Sequence, residues 1–291
     1  MTNRIVILPG GNALNTAVAL CRLGEAVSFW GSLGDDALGD LILMQLTKLG
    51  LDLRRVKREP AGLTPATIIL RIQGEDRRFI HALGAGDRFT GEQVPWELIP
   101  ENGIVVAAGY LKLRSWSDNA LVEMFRETRQ RQSTVLNVCL PNHQNDIAGR
   151  CLRLLPHVDV FVLNEDEALA LTGQSEVRAQ ARILRSAGAR IVIITRGSHG
   201  LYAETGTCTF EMGAFRVPIV DPSGCGDCFT AGLVFGLLRR WELERTLQFA
   251  SAVGALNATA LGCTTGVPPF TEVERFLGKR CSEIAQELIT A

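Results

Sequence analysis

Val158-Asp159-Val160-Phe161-Val162-Leu163 is almost unbroken in its apolar character, and the tetrad that follows it, Asn164-Glu165-Asp166-Glu167, is polar throughout. A strand with one wet face alternates polar and apolar side chains, whereas a strand covered on both faces does not. Three more runs, Ile104–Ala108, Thr134–Val138 and Arg190–Thr195, read the same way, with helical segments between them. This alternation predicts an α/β fold, with a mostly parallel central sheet between layers of helix. The full 291 residues suit one such domain.

Outward from that core, apolar spacing predicts helices over Asn12–Leu23, ended by Gly24, and over Asp36–Leu49, ended by Gly50. A strand is expected from Ala26 to Gly31. Ala66–Gln73 and Arg77–Leu83, joined by Gly74-Glu75-Asp76, read as a hairpin. Ser115, with Asp118 three residues on, is the expected start of a further helix. Leu201–Glu204, Thr207–Glu211 and Phe215–Val220 read as short strands. Two long helices follow, over about Gly226–Arg239 and Glu242–Ala260.

Composition removes several classes. The 31 acidic and 30 basic residues and a pI near 6.5 give no electrostatic footprint for nucleic acid. No apolar run reaches the ~18–20 residues that would span a bilayer. Eight cysteines lie mostly in apolar segments, which fits a reduced, cytoplasmic protein. Cys225 and Cys228 have C-x-x-C spacing, but no second pair or nearby histidine completes a zinc site.

The stretch richest in chemistry is Val217-Pro218-Ile219-Val220-Asp221-Pro222-Ser223-Gly224-Cys225-Gly226-Asp227. It reads as strand, glycine turn and helix start. Backbone N–H groups at such a turn, beside a helix N-terminus, suit phosphate. A carboxylate there only repels phosphate unless it accepts the proton of an attacking hydroxyl. On these residues alone Asp227 reads equally as a helix cap. Gly84-Ala85-Gly86-Asp87 repeats the pattern, but Pro95 opposes a continuous helix after it, so it is expected to be a loop following the hairpin. Neither Gly-x-x-x-x-Gly-Lys-Ser/Thr nor Gly-x-Gly-x-x-Gly occurs, and the protein-kinase motifs are missing.

In family order, Gly10-Gly11-Asn12-Ala13-Leu14-Asn15, Gly31-Ser32-Leu33-Gly34-Asp35-Asp36, Asn164-Glu165-Asp166-Glu167, Thr195-Arg196-Gly197-Ser198-His199-Gly200 and Asp221 through Gly232 resemble the PfkB, or ribokinase-like, carbohydrate kinases. The resemblance covers nearly the whole chain. It implies a Rossmann-like α/β/α sandwich with a small β lid, here formed by about 3–10 and 64–83. It also implies transfer of the ATP γ-phosphate to a hydroxyl of a sugar-like small molecule. Asp227 is then the expected general base, and the Gly224, Cys225 and Gly226 amides the anion hole. Asn164 and Glu167 would organise Mg²⁺ and its waters. Thr195, Gly197, Gly200 and Asn257 would lie on the nucleotide side, and Gly10, Gly11 and Asn15 on the sugar. Asp221 would neighbour a monovalent cation such as K⁺, and relatives often form homodimers through the lid.

The chain departs from that pattern in places. Only Met1 to Pro9 precede Gly10, where relatives carry a first strand, an Asp that grips sugar hydroxyls and part of the lid. The expectation is a sheet without its first strand and a weakened sugar grip. Asn137 stands where many relatives have Asp, and Asp87 is also atypical. A nucleoside kinase of the same fold and a non-catalytic sugar-binding relative are the alternative readings. The scarcity of Tyr and Trp disfavours the first, and the presence of Asp227, Asn164 and Glu167 disfavours the second.

Overall fold

The structure, a computed structural model, describes residues 6–70, 78–91, 99–129, 132–141 and 146–279. In chain order its elements begin with α1 (Asn12–Leu23), β1 (Ser28–Gly34), α2 (Ala37–Lys48) and β2 (Asp52–Glu59). Next come β3 (Ala66–Leu70), β4 (Arg78–Ala82), β5 (Ile104–Ala108), α3 (Asp118–Thr128) and β6 (Ser133–Asn137). They continue through α4 (Ile147–Leu154), β7 (Val160–Asn164), α5 (Glu165–Thr172), α6 (Val177–Ser186) and β8 (Ile191–Thr195). β9 (Leu201–Glu204), β10 (Thr209–Met212), α7 (Cys225–Leu238) and α8 (Leu243–Asn257) follow.

Among the described residues, six strands form the central sheet in the order β10-β9-β8-β7-β6-β5. β5 to β8 are parallel, while β9 and β10 are added antiparallel. The unbroken apolar runs have a direct explanation here. Leu136, Phe161, Leu163, Val192 and Ile194 pack into one core with α3, α4, α5 and α6. Their neighbours Val135, Val160, Val162 and Ile193 pack into the opposite core with α1, α7 and α8. Successive side chains point to opposite faces and both faces are covered, so the apolar residues run on without alternation. The α/β class and the parallel sheet are therefore as expected.

Several elements differ from the sequence reading. β2 went unpredicted because Asp52-Leu53-Arg54-Arg55-Val56-Lys57-Arg58-Glu59 is mostly charged; it pairs parallel to β1 in a separate two-stranded sheet. β1 itself starts at Ser28 and runs on to Gly34. Helix α3 is capped by Ser117, whose hydroxyl accepts from the Ala120 N–H at 3.1 Å, and Ser115 stands outside it. Burial of Trp116 against Phe89 and Tyr110 fixes that boundary. Phe215–Val220 is not a strand. Pro218 lacks an N–H, and Val220 and Asp221 donate to the Ala258 carbonyl at the end of α8 instead.

The hairpin formed as expected: β3 and β4 pair antiparallel, with the tip at 71–77 outside the described residues. Its root is tied to α2, where Asp36 caps the helix and also accepts from the Thr64 N–H and hydroxyl at 2.8 and 2.6 Å. Of the other expected lid segment, residues 3–5 lie outside the described residues and 6–10 form no strand. Among the described residues, β5 is the outermost strand on its side of the central sheet.

Candidate active site

Helix α7 carries the centre of the site. Ten consecutive residues, Asp227 through Gly236, are buried, because α7 lies between the sheet, α1 and α8. A helix apolar on every side takes this place. It begins on Gly224, whose φ of 73° is left-handed and whose added Cβ would lie 2.8 Å from the Cys263 Cα. The chain thus turns sharply into the helix. Among the described residues the Gly224 and Gly226 N–H groups have no hydrogen-bond partner, and the Cys225 N–H reaches the Pro222 carbonyl at 3.4 Å. An added Cβ on Gly226 would meet nothing within 4 Å. The result is an open concavity of amides at a helix N-terminus, where the backbone dipoles favour an anion.

Asp227 does not cap its own helix. Its carboxylate takes hydrogen bonds from across the molecule: Asn15 Nδ2 donates to Oδ2 at 2.7 Å and Asn12 Nδ2 to Oδ1 at 3.2 Å. Thr16 donates its hydroxyl to the Asp227 carbonyl at 3.2 Å. Asn12, Asn15 and Thr16 share one face of α1 at helical spacing, so one element grips the aspartate at three points. Only 6% of the Asp227 surface is exposed. Burial raises its pKa to about 6; the two asparagine bonds and the Lys112 charge oppose the rise without cancelling it. Asn15 Oδ1 is buried and unpartnered, the mark of a site that awaits a donor. Gly10 and Gly11 line open space at the start of α1, Gly11 with φ 120°.

The C-terminal ends of the parallel strands supply the other wall. Asn164 ends β7 and stands in register with Thr195, which ends β8. Asn164 Oδ1 accepts from the Glu167 N–H at 2.8 Å and Glu167 Oε2 accepts from the Asn164 N–H at 2.9 Å, a reciprocal capping box on α5. Burial lifts the Glu167 pKa to about 7. The Thr195–Gly200 loop turns at Gly197 (φ 54°) and Gly200 (φ 85°), and at the latter an added Cβ would overlap the Met212 and Gly213 backbone. Beyond it, a cavity of about 390 Å³ opens between β10 and α8, bordered by Met212, Gly213, Phe215 and Ser251.

Asn257 lies beneath the glycine turn. Its amide donates to the Ser223 and Cys263 carbonyls at 3.0 and 3.1 Å and accepts from the Gly266 N–H at 3.3 Å. Asp221 pins the same loop, accepting from the Ser223 N–H at 3.0 Å and the Gly262 N–H at 3.1 Å. Asn137 donates to the Thr230 hydroxyl at 2.8 Å, and that hydroxyl donates to the Gly226 carbonyl at 3.0 Å. Sequence reasoning assigned no role to Asn12, Thr16 or Lys112. The three-and-four spacing of Asn12, Asn15 and Thr16 was the available signal for the first two; nothing in Gly109–Arg114 marks Lys112.

The Gly84–Asp87 look-alike lies in a 3-10 turn after the hairpin, Gly84–Arg88, and the backbone is extended at Phe89 that follows it. Asp87 does not face a phosphate cradle: it binds the Arg114 N–H at 2.7 Å and Nε at 2.8 Å. Among the described residues no cluster of three His, Cys, Asp or Glu side chains is placed to hold a metal ion.

Comparison with known proteins agrees with the α/β fold. The 5-dehydro-2-deoxygluconokinase of Photobacterium profundum is 28% identical over 89% of this chain and 82% of its own length. The aminoimidazole riboside kinase of Salmonella typhimurium is also 28% identical, over 94% of this chain and 89% of its own. The crystal structure of the Salmonella enterica aminoimidazole riboside kinase, complexed with aminoimidazole riboside and an ATP analog, superposes with a TM-score of 0.84 at 24% identity. It covers 95% of this chain and 94% of that one. The model of the pfkB family carbohydrate kinases matches residues 2–269, from ahead of the Asn12–Asn15 face to beyond α8, and the chain belongs to that family.

Proposed function

We propose that the protein transfers the γ-phosphoryl group of ATP to a hydroxyl of a sugar or sugar-like molecule, with Asp227 as general base. The observation that carries this is the buried Asp227 carboxylate, held by Asn12 and Asn15 beside an open cradle of backbone amides. A substrate hydroxyl oxygen attacks the γ-phosphorus, the bond to the β-phosphate oxygen breaks, and ADP leaves. Asp227 takes the hydroxyl proton. The Gly224, Cys225 and Gly226 N–H groups stabilise charge on the migrating group, the term that usually dominates such catalysis.

The remaining residues divide by position. Gly10, Gly11 and Asn15 border the hydroxyl-bearing substrate, with Asn15 Oδ1 available to accept from it. Thr195, Gly197 and Gly200 border the nucleotide, whose base fits the cavity between β10 and α8. Asn257 acts through the loop it holds. Asn164 and Glu167, locked together on α5, would orient waters of a nucleotide-bound Mg²⁺, which would neutralise phosphate charge. A K⁺ ion near Asp221 would reinforce the loop that Asp221 already staples. Use of ATP fits a cytoplasmic location. Pairing with a second copy through the lid is supported by the exposed apolar Ile68, Leu70, Phe79 and Ile80. Ile80→Asp is expected to halve the mass read by light scattering; an unchanged mass removes that role from the lid.

Because base catalysis needs the carboxylate form, kcat/KM is expected to fall as pH drops through about 6, the raised Asp227 value. A rate flat down to pH 4.5 would contradict this. The substrate class is tested by measuring Mg²⁺-dependent ADP release across hexoses, pentoses, ketogluconates and ribosides. Turnover with free sugars supports the sugar kinase. Turnover with ribosides alone identifies a nucleoside-type kinase, and sugar binding without any ADP release overturns the catalytic reading.

A further inference from the structure

Cys225 and Cys228 stand at the two ends of a C-x-x-C motif that the proposed transfer chemistry leaves unused, apart from the Cys225 N–H. Between them lie Gly226 and Asp227, proposed above as part of the amide cradle and as general base. Both cysteines belong to the first turn of α7, which opens at Cys225, and the Cys228 N–H donates to the Gly224 carbonyl at 2.9 Å. Residues three apart on a helix share a face, with Cβ atoms about 5–6 Å apart. Their settings differ: Cys225 is half-buried beside the open cradle, whereas Cys228 is buried.

The two sulfurs converge on the same pair of groups. Asn257 Nδ2 donates to Cys225 Sγ at 3.9 Å and to the Cys263 carbonyl at 3.1 Å, and the Cys228 thiol donates to that same carbonyl at 3.3 Å. Helical spacing and these contacts are independent, and both bring the two thiols to one side of the turn. An amide donor and an open helix N-terminus favour negative charge on a sulfur, the form that attacks an oxidant. Burial holds the Cys228 thiol protonated, well above the ordinary thiol range. One sulfur is thus placed to react first and the other to close the bond.

We infer that Cys225 and Cys228 are a thiol-modification site, where hydrogen peroxide makes a reversible disulfide that disables the phosphate cradle. The Cys225 thiolate attacks one peroxide oxygen, the O–O bond breaks, and the hydroxide that leaves takes up a proton as water; the product is a sulfenic acid. The Cys228 sulfur then attacks the Cys225 sulfur, the S–O bond breaks, and the hydroxyl leaves with the Cys228 proton as a second water. A disulfide needs Cβ atoms about 3.5–4.5 Å apart, so the turn must tighten by about 1–2 Å. Gly226 and Asp227 lie within that turn and are drawn out of place with it. The effect on the cradle rests on the kinase reading above; the cross-link does not.

Peptide mapping and calorimetry on the same samples test this. Wild type, Cys228→Ser and Cys263→Ser are treated with hydrogen peroxide, then alkylated and digested with trypsin, and in parallel titrated with Mg²⁺ and the β,γ-imido analogue of ATP. Trypsin leaves Cys225 and Cys228 in one peptide, 217–239, and Cys263 in another, 246–275. The expected result is a 217–239 peptide lighter by two hydrogens in wild type and C263S, with analogue affinity lowered at least about tenfold and restored by dithiothreitol. C228S should yield no such peptide. A cross-link between 217–239 and 246–275, or none at all, overturns the site. A cross-linked protein with unchanged analogue affinity overturns the effect on the cradle while leaving the kinase reading standing. Reduced wild type that binds no analogue overturns the kinase reading and the effect on the cradle with it, and the peptide mass still decides the cross-link.

Discussion

Asp227→Asn is expected to lower kcat by about 10²–10⁴-fold while nucleotide affinity stays near wild type. The change removes the proposed proton acceptor without altering side-chain shape, and the Gly224–Gly226 amides proposed to hold the phosphate are backbone groups it does not touch. The variant should also be more stable. The folded protein holds the Asp227 pKa near 6, above the ordinary carboxylate value of 3.8, because the group is buried. The native state thus binds its proton more tightly than the unfolded chain does. This group's unfavourable effect is absent below about pH 4, grows as pH rises through the interval to about 6, and is constant above. Asparagine carries no such charge, and a turned Asn15 amide can offer it the buried, unpartnered Oδ1. D227N should therefore unfold at higher temperature than wild type at pH 8, by roughly 1–3 kcal/mol of stability, and show little difference at pH 4. Slower turnover with higher stability is the signature of a functional buried charge. A stability loss at pH 8 would instead mark Asp227 as structural.

The two glycines flanking Cys225 should separate packing from chemistry in the opposite way. Gly224→Ala forces a side chain onto a left-handed residue and drives its Cβ into the Cys263 backbone. The strain and the clash together should cost about 2–4 kcal/mol, and the displaced turn should reduce kcat at least about 10²-fold. Gly226→Ala meets no protein atom within 4 Å and sits in the first turn of α7. Alanine is the better helix former, so stability should rise by about 0.5–1 kcal/mol. Its methyl group nevertheless enters the space proposed for phosphate, so activity should fall at least about tenfold. Thermal unfolding and steady-state rates on the two variants check both. A fully active G226A would mean that the cradle is not where phosphate binds.

How far the sequence could carry this depends on the range of each interaction. The covered strands were legible because Val160-Phe161-Val162-Leu163 feed two cores at once, which leaves a local pattern. The glycine turn before α7 was legible because left-handed backbone has a residue preference. β2 was not, since its charged stretch gains order from parallel pairing with β1 and not from a buried face of its own. Phe215–Val220 has the composition of a strand, yet its backbone finds its partner at the end of α8. In the site, the residues around Asp227 read equally as cap and base because its hydrogen-bond partners, Asn12 and Asn15, lie more than two hundred residues away. Asn164 and Glu167 kept both readings: they are a capping box, and they sit at the strand ends where a nucleotide would lie. The Gly84–Asp87 look-alike gained a meaning only when Arg114 folded onto it.

The most direct test of the central claim is ADP release by wild type and D227N, with Mg²⁺-ATP, in the presence and absence of the best substrate from the sugar panel. The account predicts sugar-dependent ADP release by wild type, one phosphorylated sugar per ADP, and a rate about 10²–10⁴-fold lower in D227N with nucleotide binding retained. Equal rates in the two proteins, or ADP release that no sugar stimulates, would contradict it.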